Sequence, residues 1–254
     1  MMKGLFLLKS RQGVLFYFGL FCFALAVLFL VMTFVSDLQV QGVNAYWKPF
    51  KFSVSIAIYV WTMGWLCFYL QKFNSRLFGW VITGLLAFEI IFIGVQAARG
   101  QLSHYNFSTP FYHVMYVFMA LAAAAVSLYT LYVAVLFFRD QFPFLPQPYL
   151  WGIRLGLVIF VVFAFEGFVM GSRFSHTIGG PDGGPGLPLV NWSTKFGDPR
   201  VAHFIGMHAL QVLPLASYYL FRSIAAVMIA AGFYFLLAAF TLWQALAGRP
   251  LIGV

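Results

Sequence analysis

Residues 14–35 read VLFYFGLFCFALAVLFLVMTFV, twenty-two positions without a charge. At 1.5 Å of rise per residue a helix over this stretch is about 33 Å long, enough to cross a hydrocarbon core of roughly 30 Å. The preceding segment carries Lys3, Lys9 and Arg11 and no acid. A cleaved signal peptide would have a shorter apolar core and a small-residue cleavage site, so the stretch reads as an uncleaved first span.

The rest of the chain repeats that pattern. Apolar runs follow at 52–70, 78–98, 111–137, 149–170, 201–219 and 223–247. The predicted fold class is therefore all-α, a polytopic transmembrane helix bundle of about seven spans forming a single integral membrane domain over 1–254. The last two runs are separated only by Leu220-Phe221-Arg222-Ser223, and reading them as one helix would give six spans. Arg222 with Tyr218 and Tyr219 instead suits an interfacial hairpin. Pro49 and Pro110 precede spans two and four, and Pro143, Pro146 and Pro148 fill the connection before span five. Pro214, inside span six, is expected to kink it and free the Leu210 carbonyl.

Composition agrees. Hydrophobic residues make up 63% of the chain and charged residues 8%, far below the quarter or so of a soluble domain. The net charge of +9 is dispersed singly between apolar runs, as loops meeting lipid headgroups are. It does not form the basic stripe of a nucleic-acid binder. The expected partner is the lipid bilayer, with no nucleic acid. Cys22 and Cys67 lie within apolar runs and lack metal-site spacing. With the N-terminus inside, the Lys/Arg count is eight inside and seven outside; the first span's basic tail favours that orientation, and the expected location is the cell inner membrane.

Polar residues collect unevenly. Loops 36–51, 99–110 and 171–200 all follow odd-numbered spans and so share one face. All five histidines, His104, His113, His176, His203 and His208, lie in or near that face. Glu89 in span three has Gln96 seven residues on and Arg99 beyond; Glu166 in span five has Arg173 at i+7. Ionisable groups in hydrocarbon cost about 2.5–3.5 kcal/mol on insertion scales and normally face the bundle or a wet cavity. His203, Met207, His208 and Gln211 span an arc of about 140° on one helix. His203 and His208 are five apart, which does not suit a two-histidine chelate.

The loop 171–200 holds Gly179–Pro188, GGPDGGPGLP, which excludes regular structure. With His176, Asp182, Asn191, Trp192 and Asp198 it is expected to be a lid over the polar half, the plainer reading being a flexible tether. Glu89 and Glu166 could equally be paired structurally with Arg99 and Arg173. Lys48 and Lys51 suit interfacial anchors.

The strings Trp47-Lys48-Pro49-Phe50-Lys51-Phe52, Gln96-Ala97-Ala98-Arg99-Gly100, Ser103-His104-Tyr105-Asn106, Pro181–Gly186 and Gly197-Asp198-Pro199-Arg200, followed by His203 and His208, resemble an uncharacterised family of bacterial multi-pass membrane proteins. The resemblance covers residues 44–211 and implies localisation and topology alone. Seven-span zinc hydrolases of the alkaline-ceramidase type also gather histidines at one face, but their H-x-x-x-H pair is missing here. Membrane b-type cytochromes hold haem between histidines of different spans, and one haem from His113 to His203 or His208 would fit that pattern.

Three readings follow. The first is a metal- or haem-dependent redox or hydrolytic protein. Its metal ligands come from His104, His113, His203 and His208, a single haem would be held by His113, His203 or His208, and Glu89 and Glu166 are the catalytic carboxylates. Gln96, Arg99, His176, Asp182 and Gln211 would surround that site. The second is a small-solute or proton-coupled transporter or sensor using the same groups as a relay. The third is a structural membrane subunit.

Overall fold

The computed structural model describes residues 2–253. It is helical almost throughout: α1 (Met2–Arg11), α2 (Gly13–Val35), a two-stranded hairpin of β1 (Gln39–Val40) and β2 (Val43–Asn44), α3 (Trp47–Cys67), α4 (Ser75–Ala98), α5 (Pro110–Arg139), α6 (Gln147–Arg173), α7 (Arg200–Tyr219) and α8 (Ile224–Leu246). Six of these, α2 to α6 and α8, are long and apolar enough to cross a membrane. The chain is a multi-pass membrane protein. α7 has the length of a span, but Arg200, His203, His208 and Gln211 dilute its apolar character. The break between the last two runs falls where the sequence placed it. α7 ends at Tyr219, and the Ser223 hydroxyl caps α8 by accepting from the Ala226 N–H at 3.2 Å.

The chain forms two compact units, Met1–Val126 and Ser127–Val254, with α5 passing from one to the other. In the first, α2, α3 and α4 pack side by side and α1 lies against α2 and α3. The basic N-terminal tail is thus helical rather than a loop. Gln12 separates α1 from α2 with an extended backbone (φ −151°, ψ 82°). Its buried amide donates to the Ser75 carbonyl and is wedged beside Gly64 and Gly79, whose missing side chains leave the room. The Trp61 indole N–H donates to the Phe16 carbonyl at 3.1 Å, and a Cβ on Gly19 would fall inside that indole. At the other end Asn44 donates to the carbonyls of Ser36 (2.5 Å) and Thr33 (3.2 Å), fastening the hairpin to α2.

In the second unit α6 and α7 make the most extensive helix contact, and α8 packs on both. Small residues set this closeness. Gly152 and Gly156 are four apart on α6, the spacing that lets membrane helices approach backbone to backbone. A Cβ on Gly156 would stand 2.8 Å from the Ala209 carbonyl oxygen and one on Gly152 2.9 Å from that of Leu213. From the opposite side Gly206 of α7 receives the Phe163 ring. Pro214 lies inside α7 without ending it. The Tyr234 hydroxyl of α8 donates to the Ile205 carbonyl at 2.6 Å, which satisfies its polar tip within an apolar core of Ile159, Phe163, Ala202, Ala209, Leu213, Ala231 and Ala238.

Candidate functional site

Between its helices α6 and α7 the second unit brings together an acid–base pair. Glu166 lies seven residues before the end of α6, about 10 Å below it, and His203 lies in the first turn of α7. Glu166 Oε2 is 3.4 Å from His203 Nδ1, with the carboxylate side chain 4% exposed and the imidazole 31%. That separation meets an ion-pair distance but is not a hydrogen bond. The Nδ1 hydrogen goes elsewhere, to the Phe163 carbonyl at 2.7 Å. A carbonyl oxygen can only accept, so Nδ1 carries a proton, and in the neutral ring Nε2 is then the lone-pair atom. Both oxygens of Glu166 are buried without a hydrogen-bond partner. The ring occupies space that Gly167 leaves open, since a Cβ there would sit 3.2 Å from His203 Cε1.

His208 does not share this arrangement. Five residues beyond His203, it is turned about 140° around the helix, and its ring lies against Phe204, tilted by 32° with 4.2 Å between centroids. Phe204 meets Trp192 edge-on at 5.5 Å, so the 171–200 loop reaches α7 through that tryptophan. Gln211 is half-buried one helical turn farther along.

The loop is a folded segment rather than a tether. Asp182 organises it. Its carboxylate accepts from Ser175 Oγ (2.9 Å), the His176 N–H (3.0 Å), the Thr177 N–H (2.9 Å) and Thr177 Oγ1 (2.7 Å), and pairs with His176 Nδ1 at 3.0 Å. Burial pushes the Asp182 carboxyl up, but the hydrogen bonds from His176 and Thr177 and the His176 charge outweigh it. They hold the carboxyl well below the usual carboxylate range. A second anchor stands at the head of α7. Buried Asp198 accepts from the Ser193 N–H (2.8 Å) and from Arg200 through Nε (2.8 Å) and Nη2 (2.5 Å), while Arg200 also donates to the Asn191 carbonyl. His176 and Asp182 are thus engaged within the loop itself.

In the first unit the expected residues are not drawn together. Glu89 is 7% exposed, and its Oε1 is buried with no hydrogen-bond partner. It lies only about 4 Å past the midpoint of α4, nearer mid-depth than its assignment to one face implies. Gln96 is spent on a loop contact, donating to the Leu102 carbonyl at 3.0 Å. Arg99 is exposed just beyond the end of α4. Neither Glu89 with Arg99 nor Glu166 with Arg173 forms an ion pair among the described residues. His104 is bonded to Ser103 Oγ at 3.1 Å and lies beside the Phe52 ring. His113 is exposed, with its ring edge-on to Phe107 at 5.2 Å.

The expected metal-ligand set His104, His113, His203 and His208 gains no support from the fold. Among the described residues, no group of three or more His, Cys, Asp or Glu side chains is placed to hold a metal ion. Each ring has its own neighbours: a serine and aromatic rings for His104, Phe107 for His113, Phe204 for His208, and the α6 backbone with Glu166 for His203. The features that position His203, namely the Phe163 carbonyl and Gly167, were missed in the sequence. The Gly152–Gly156 spacing was the available signal that α6 and α7 would approach closely.

No family model matches the chain, and no curated protein or solved structure matches it either. The expected family resemblance thus stands without support from these comparisons, and its coarser content, a multi-pass membrane chain, rests on the helices.

Proposed function

We propose that the protein handles protons within the membrane, as a proton-coupled carrier or sensor, with His203 Nε2 as the working atom and Glu166 as its proton partner. The observation that carries this reading is the Nδ1–H donation to the Phe163 carbonyl beside an otherwise unpartnered buried carboxyl. A ring anchored through Nδ1 presents Nε2 as base. Glu166 can exchange charge with it: carboxylate with imidazolium, or carboxylic acid with neutral ring. An intramembrane ionisable pair of this kind is a characteristic relay. Inner-membrane placement with a cytoplasmic N-terminus, and membership of a bacterial multi-pass family, belong to the same reading.

The test is proton flux. Reconstituted into liposomes holding a pH-sensitive dye, the protein is expected to relax an imposed pH gradient, and E166Q and H203Q each to abolish the relaxation. Equal rates for wild type and both variants overturn the proposal.

One observation favours a second reading. A metal-ligating histidine usually donates its other ring N–H to a carbonyl or carboxylate, as His203 does. Nε2 could then ligate a metal ion or haem with further ligands from beyond this pair. Metal analysis and the visible spectrum of the purified protein, with H203A as control, decide it.

A further inference from the structure

The first unit buries polar groups near mid-depth with nothing to satisfy them. The packed helices fix their level. Gly64 of α3 and Gly79 of α4 both flank Gln12, so these antiparallel helices are in register where residue numbers sum to about 143. Ser53 then stands level with Ile90, one residue from Glu89. α2 agrees from its own contacts. Gln12 meets Ser75 and Gly79, and the Phe29 ring meets Gly94. This parallel pair is offset by about 65 and puts Glu89 level with Ala24, the middle of α2. Ser53 is 0% and Glu89 7% exposed, and Ser53 Oγ and Glu89 Oε1 are both buried without a hydrogen-bond partner.

The groups that could compensate a charge here are few. On α2 the titratable side chain nearest this level is Cys22; on α3 it is Lys51, near the head of the helix, followed by Tyr59 and Lys48, and both lysines have interactions of their own. No Arg or His of α2, α3 or α4 lies within two turns of it. A hard metal cation takes six or more oxygen ligands. The helix carbonyls are committed to their own ladders, which leaves the Glu89 carboxyl and one hydroxyl. A proton needs no such shell.

From this juxtaposition we infer that Glu89, level with Ser53, is a second proton-binding site, a membrane-buried carboxylic acid whose proton exchanges with water. The exchange is simple: the O–H bond breaks to leave carboxylate and release one proton, and uptake reverses it. Ser53, an unpartnered hydroxyl at the same level on α3, is the positioning residue, turning toward the carboxylate when it ionises. The site stands independently of the Glu166–His203 pair.

Two measurements on the full-length protein in liposomes test it. Infrared difference spectra between acid and alkaline pH should contain a protonated-carboxyl C=O band that E89Q removes and that E166Q and H203Q leave in place. Dicyclohexylcarbodiimide, an apolar reagent for protonated carboxyls, should label Glu89 at neutral pH. Labelling should slow at least tenfold as pH rises, and S53A, which removes a donor to the ionised form, should move the pH of half-labelling upward without abolishing labelling. A spectrum with no band lost in E89Q overturns the inference. Protection of Glu89 by sodium ions at constant pH also overturns it, in favour of a metal-cation site.

Discussion

His203 is held to α6 through the backbone of Phe163 rather than through the carboxylate beside it. Nδ1 lies 2.7 Å from the Phe163 oxygen and 3.4 Å from Glu166 Oε2. The tautomer is therefore set by a group that does not titrate. Nitrogen-15 NMR of histidine-labelled protein should show His203 protonated at Nδ1 under neutral conditions, and E166Q should leave that signature intact. Gly167→Val should remove it, because a side chain at 167 would occupy the space beside Cε1. An Nε2–H tautomer in wild type contradicts the assignment.

The closeness of α6 and α7 makes a second, purely steric prediction. A Cβ on Gly206 would enter the Phe163 ring, and one on Gly156 would stand 2.8 Å from the Ala209 oxygen. Overpacking of this kind costs about 1–3 kcal/mol, more where backbone must move. Gly206→Leu and Gly156→Leu should each lower the thermal midpoint measured in detergent by several degrees. Gly232→Ala, where a Cβ meets nothing within 4 Å, should leave it unchanged or raise it.

Asp182 offers a pH prediction with a definite sign. Its carboxyl is held below the ordinary range, which for Asp is about 3.9. A group shifted in that direction contributes stability that is fully present above the ordinary value. The contribution fades as pH falls through the lower folded one. The loop knot should accordingly be constant from neutral pH down to about 5 and loosen only in stronger acid. Limited proteolysis within 174–199 measures it. D182N removes a charged acceptor that gathers several donors, so cleavage at neutral pH should rise roughly tenfold or more. Unchanged cleavage would mean that the loop is held from elsewhere, through Asp198 and Arg200.

Much of this architecture was legible because hydrocarbon thickness is a crude ruler. Twenty uncharged residues announce a span whatever its neighbours, and the Arg222-Ser223 break needed only a charge and a cap. α1 was not legible. Its ten residues mix Lys and Arg with apolar side chains, and its helicity comes with packing on α2 and α3. The site was half legible. The expense of a buried carboxyl singles out Glu89 and Glu166 from composition alone, but partners depend on which way rings turn. His203 and His208 look equivalent in the sequence. In the fold one meets a carbonyl and a carboxylate, the other a phenylalanine. His176 and Asp182 fall within a glycine-rich string that gives no sign of the hydrogen bonds joining them.

Arg11 supplies the last prediction. At the end of α1 its guanidinium carbon lies 3.9 Å from the Trp65 ring centroid, 4.4 Å from Phe68 and 5.4 Å from Tyr69. Its Nε and Nη1 are buried with no hydrogen-bond partner. The attraction holding α1 here is thus the stacking of a planar cation on aromatic faces, worth about 0.5–2 kcal/mol as desolvation increases. A lysine keeps the charge but not the plane, so R11K should recover only part of what R11A loses. Trp65 fluorescence should shift to the red in R11A, less in R11K, and proteinase K should cut between residues 5 and 12 in the same order. If R11K equals wild type by both measures, charge alone fixes α1 and the stacked geometry contributes nothing.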